Sequence, residues 1–152
     1  MSLSIDIICR DGSPLGVTQS SINGEDGRAG IGGSELFLLT MCQLWHERGD
    51  KVTLYNDPKG GSSVFEQRRI DSFDHNENRD VLIVFRSPNK RMNQHSKGLK
   101  VWLSCDQSTV DDFGQFRQKV DKVVGISPFH ADYFSKTYGI NDMIVIDIPV
   151  RL

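Results

Sequence analysis

Gly30-Ile31-Gly32-Gly33-Ser34-Glu35-Leu36-Phe37-Leu38-Leu39-Thr40-Met41-Cys42-Gln43-Leu44-Trp45-His46-Glu47-Arg48-Gly49 joins a glycine cluster directly to a helical pattern. Over Ser34 to Arg48 the apolar residues leave only a narrow polar stripe of Thr40, Gln43 and Glu47, which predicts a helix buried on most sides. Gly49 is a stop signal at its end, and Val52-Thr53-Leu54-Tyr55 starts a strand soon after. Helix, glycine and β-run in that order are one half of a β/α unit.

The same unit extends outward. Short runs rich in Ile and Val recur at Ile5-Cys9, Val52-Tyr55, Val81-Phe85, Val101-Leu103, Val120-Ile126 and Met143-Ile148. They are near-continuous and not alternating, the pattern of strands covered on both faces. Phe65-Ile70 adds a weaker strand signal. A second helix is marked by Ser127 as N-cap, Pro128 as first helical residue, an apolar face of Phe129, Tyr133 and Phe134, and Gly139 as the stop. Residues 57–63 and 86–98 are rich in Gly, Pro, Asn and Lys and read as loops. The alternation predicts an α/β fold: a doubly wound, mostly parallel sheet with helices on both faces and right-handed crossovers. At 152 residues the chain holds one such domain, 1–152.

Composition narrows the function by exclusion. A net charge of −2 gives no cationic field for nucleic acid. The short basic group Arg86, Lys90, Arg91 and Lys97 reads as a solvated loop, with a phosphate or anionic-lipid contact as the alternative. Cys9, Cys42 and Cys105 lack Cys-x-x-Cys spacing, so neither a disulfide framework nor a zinc site is expected. His46, His75, His95 and His130 are dispersed, and none is assigned to metal or catalysis. No run approaches the roughly 18 apolar residues of a membrane span, and no signal peptide is evident, so a cytoplasmic location is expected. Met1-Ser2-Leu3 reads as a remnant outside the fold, which starts at Ser4.

Seven of the fourteen glycines, Gly12, Gly16, Gly24, Gly27, Gly30, Gly32 and Gly33, lie between the first strand and the first helix. Glycine lets a ligand approach the backbone, and a helix N-terminus offers unpaired N–H groups at the positive end of its dipole. Gly30, Gly32, Gly33 and Ser34 are therefore candidate phosphate contacts. The dinucleotide fingerprint Gly-x-Gly-x-x-Gly is a competitor, with Asp57 as its ribose acid. Gly30-Ile31-Gly32-Gly33-Ser34-Glu35 lacks its third glycine, and about two dozen residues separate strand from helix where the fingerprint needs a tight turn. Ligands of open α/β sheets bind at the carboxyl ends of the strands, which adds Arg86, Asp106 and Ser127 to the candidates, Ser127 being first of all a cap.

Gly32, Gly33 and Glu35, the helix end His46-Glu47-Arg48-Gly49-Asp50, and Val52-Thr53-Leu54-Tyr55 together resemble the Rossmann-like N-terminal domain of GT-B glycosyltransferases, in particular family 4 (glycosyl transferase group 1). Val101-Trp102-Leu103-Ser104-Cys105-Asp106 resembles a strand end where relatives often carry His-Asp. Val123-Val124-Gly125-Ile126-Ser127-Pro128-Phe129, Tyr138-Gly139 and Ile146-Asp147-Ile148-Pro149 resemble the elements that close the domain. The resemblance implies transfer of a sugar from a nucleotide-sugar donor to a sugar, lipid or protein acceptor, without a metal or other cofactor. Gly32 and Gly33 would lie near the donor diphosphate, and Asp106 would orient the acceptor hydroxyl. Cys105 stands where the family often has histidine, which leaves a histidine-based role at that strand end without its residue. Peripheral membrane contact of the full-length protein is a further expectation.

The family's Glu-x7-Glu pair belongs to a C-terminal donor-binding domain. No two of Glu25, Glu35, Glu47, Glu66 and Glu77 have that spacing, so that domain is expected to be absent from this chain and the fragment to be inactive alone. The alternative from another class is a stand-alone, non-catalytic module that binds a nucleotide or phosphate.

Overall fold

The computed structural model describes residues 1–9, 25, 32–56, 63–86, 95–106 and 113–149. Seven strands form one sheet, β1 (Ser4–Ile8), β2 (Lys51–Asn56), β3 (Glu66–Arg69), β4 (Val81–Phe85), β5 (Leu99–Leu103), β6 (Lys122–Gly125) and β7 (Ile144–Val145). Their order is β3-β2-β1-β4-β5-β6-β7, and every pairing is parallel. This is a Rossmann-like α/β sheet wound outward in both directions from β1 and β4.

The inner strands contribute side chains to two cores because successive residues point to opposite faces. On one face, α1 (Gly33–Glu47) buries Phe37, Leu38, Leu39 and Cys42 against Ile5, Ile7, Leu54, Ile83 and Phe85. On the other, the single turn α2 (Phe113–Phe116) and α3 (Pro128–Tyr138) place Phe113, Phe116 and Phe134 against Ile8, Val84, Trp102 and Val123. Trp102 is fully buried at the centre of this aromatic group, 4.8 Å from Phe113 and 5.2 Å from Phe116 between ring centroids. Helix α3 starts and stops as the sequence predicts. Ser127 Oγ accepts from the His130 N–H, and Gly139 takes a left-handed φ of 68°, which lets its N–H and that of Ile140 close onto Ser135 and Phe134.

Three expectations need correction. Thr40, expected on the outer stripe of α1, is buried, whereas Leu36 and Leu44 are exposed. A helix with apolar side chains on almost every face does not reveal its rotation through polarity. The final strand spans only Ile144–Val145, both exposed, because an edge strand has one neighbour and little of it is covered. The fold starts before Ser4, since the Leu3 N–H donates to Asp50 Oδ1 at 2.9 Å and Ser2 Oγ to the Gly49 carbonyl at 2.8 Å.

Between β3 and β4 the chain crosses the sheet with only a 3-10 turn, Ile70–Ser72, in place of a helix. Arg79 anchors that crossing. Its buried guanidinium pairs with Asp6 of β1 at 2.7 Å, donates to the Asp74 carbonyl at 2.6 Å, and lies over the Phe73 ring at 4.7 Å.

Asp50 ties the chain's start to the turn after α1. The Leu3 N–H, and after it the Arg48 guanidinium, holds its carboxyl below the ordinary value of 3.8. A depressed carboxylate stabilises the fold above its unfolded pKa, and the contribution disappears as pH falls through the folded value. Thermal melts run from about pH 5 down to about pH 1 should therefore show wild type melting above Asp50→Asn at the upper end, with the two converging at the acid end.

Candidate functional site

The neighbours of β1 connect in opposite directions, toward β2 on one side and β4 on the other, so the crevice of this sheet opens at the carboxyl ends of β1 and β4. Arg86 directly follows β4 there. Its backbone continues the ladder, with its N–H donating to the Leu103 carbonyl at 2.8 Å, and its own carbonyl accepts from the Trp102 indole at 2.9 Å. Held in this way it adopts φ 69°, the one non-glycine residue with positive φ among those described. Such a conformation costs roughly 1–2 kcal/mol for an L-residue, so the surrounding bonds must impose it.

The imposed backbone sends the guanidinium across the crevice. Arg86 Nη1 lies 3.5 Å from Glu35 Oε1 in the first turn of α1, and Nε lies 3.4 Å from Asp106 Oδ2 beyond the end of β5. All three side chains are partly exposed, at 20%, 24% and 34% for Arg86, Glu35 and Asp106, so they face an opening and not the core.

Gly32 is the N-cap of α1 and offers no side-chain cap. A Cβ built on it would overlap the Glu35 carboxylate, so the bare glycine is what allows Glu35 to fold back over the helix start. Gly33 differs: a Cβ there would meet nothing within 4 Å, so that position is open. The N–H groups of Gly33 and Ser34 belong to the first turn and have no carbonyl partner within the helix. No family model matches the chain, and no curated protein or solved structure is significantly similar to it.

Of the residues singled out by sequence, the fold therefore brings Gly32, Gly33, Ser34, Arg86 and Asp106 to one edge of the sheet. Gly30 and Asp57 lie outside the described residues. Ser127 reaches the same edge but spends its hydroxyl on the α3 cap, accepting from His130 at 3.0 Å. Two residues were not assigned: Glu35, quoted in the glycine motif but given no role, and His130, whose ring nitrogen sits 2.9 Å from the Asp106 carbonyl. Cys42 stands apart from this chemistry, buried within α1. Burial pushes the Cys42 thiol far up, which removes it as a nucleophile at neutral pH. Among the described residues, no three His, Cys, Asp or Glu side chains could hold a metal ion, and no helix is long and apolar enough to cross a membrane.

Proposed function

We propose that this chain is the acceptor-side, Rossmann-like N-terminal half of a GT-B glycosyltransferase, an enzyme that moves a sugar from a nucleotide-sugar donor to an acceptor hydroxyl in the cytoplasm. The observation that carries the reading is the grouping of Glu35, Arg86 and Asp106 at the switch point, beside the first turn of α1. A guanidinium and a helix N-terminus together suit a diphosphate, and they stabilise charge as the leaving group departs. A carboxylate next to them suits an acceptor hydroxyl, which it orients by accepting its hydrogen bond.

In this reading the domain alone transfers no sugar and binds nucleotides weakly. Part of the reason is internal: Glu35 already occupies Arg86, so a diphosphate must displace one anion to be bound. Calorimetric titration of the chain with UDP, GDP and NAD tests the reading. Weak binding of UDP or GDP is expected, with no binding of NAD. Gly33→Asp should reduce that binding by more than about tenfold, because like charges brought together cost several kcal/mol. Since the position is open and an acid in the first turn favours a helix, Gly33→Asp should melt no lower than wild type. NAD binding ahead of both nucleoside diphosphates, or no nucleotide binding at all, would overturn the reading.

A further inference from the structure

His130 is buried, 4% exposed, and both of its ring nitrogens are engaged. Nδ1 accepts from the Ile126 N–H at 3.4 Å, just past β6, and Nε2 lies 2.9 Å from the Asp106 backbone carbonyl, just past β5. A backbone N–H only donates and a carbonyl only accepts, so the pair of contacts selects the neutral ring with its proton on Nε2. The ring is itself held. The backbone N–H of His130 donates to Ser127 Oγ at 3.0 Å, and the ring packs edge-to-face with Phe134, the centroids 4.6 Å apart. Gly125 leaves space for it, since a Cβ there would come 3.1 Å from Nδ1. A second donor, Ser104 Oγ, reaches the same Asp106 carbonyl at 3.3 Å.

We propose that His130 is a positioning residue of the site. It is an uncharged strut from the end of β6 to the end of β5 that fixes the Asp106 main chain, and so aims the Asp106 carboxylate at Arg86. The role rests on the reading of Glu35, Arg86 and Asp106 as the ligand site, and His130 acts only through Asp106. A merely space-filling aromatic would do the packing without the two hydrogen bonds, which separates the two roles experimentally.

The experiment is nuclear magnetic resonance of the ligand-free chain. Long-range proton–nitrogen correlations should show His130 with its proton on Nε2. In His130→Phe, which keeps a ring and loses both bonds, the Arg86 Nε–H signal should move to its position in Asp106→Asn. His130→Gln, which offers one acceptor and one donor, should return that signal toward wild type. UDP affinity should fall about fivefold in His130→Phe and recover in His130→Gln, the scale of one hydrogen bond. An Nδ1–H tautomer in wild type, or an unmoved Arg86 signal in a folded His130→Phe, overturns the proposal. If His130→Phe does not fold, a His130→Gln spectrum with Arg86 as in Asp106→Asn overturns it. Failure of wild type to bind UDP sinks the ligand reading alone, because the tautomer and the Arg86 signal are read without ligand.

Discussion

Arg79→Leu is expected to cost about 3–5 kcal/mol of folding free energy, measured as a shift in the urea midpoint at unchanged slope. The reason is what the substitution leaves behind. Asp6 sits inside the sheet at 7% exposure, and without Arg79 it becomes a buried carboxylate with no counter-charge. The Asp74 and His75 carbonyls each lose a donor at the same time, so the helix-free connection from β3 to β4 loses its anchor. A double variant, Asp6→Leu with Arg79→Leu, should recover part of the loss, since removing both charges abolishes the unpaired ion. Recovery should stay incomplete, because each carbonyl loses the Arg79 donor and keeps only a backbone one, from Glu77 to Asp74 and from Lys97 to His75. A loss below about 1 kcal/mol for the single variant would mean that the pair is solvated like a surface bridge.

Arg86→Gly should separate binding from stability. Glycine adopts φ near 69° without strain, which offsets the loss of two partly exposed ion pairs worth about 0–1 kcal/mol each. The melting temperature should therefore remain close to wild type. Nucleotide affinity should fall about 10- to 100-fold, the range for losing a charge-assisted contact. Calorimetry with UDP beside a thermal melt of the same sample reads both. Unchanged affinity would take Arg86 out of the site, whereas a collapsed melt would make it a structural residue.

The strands were legible because a sheet covered on both faces demands continuous apolar runs, and Val81-Phe85 is such a run to the residue. Helix α3 was legible because its cap and stop are local chemistry, Ser127 and Gly139. The single turn at Phe113–Phe116 was not, since four residues carry no period. The site was half legible. Arg86 and Asp106 follow strands and so had to lie at the carboxyl edge, but their meeting with Glu35 depends on β4 lying between β1 and β5, and no local pattern encodes strand order. His130 is not legible from spacing, because the four histidines are dispersed along the chain. The available hint was its place three residues after the Ser127 cap, where a side chain turns back toward the strand end.

An all-parallel sheet also decides how this chain can be made. Ser4 hydrogen-bonds Asp80, 76 positions along the sequence, and the central pair β1 and β4 closes over that distance. With no hairpin among the described strands as a local start, folding should belong to the slow class in which distant segments must meet before any ladder is rewarded. During synthesis β1 gains its second neighbour only once Phe85 has emerged. Until then its apolar residues and one row of backbone donors and acceptors stay open, which makes the nascent amino-terminal half the stage at which the chain most needs protection from pairing with another copy.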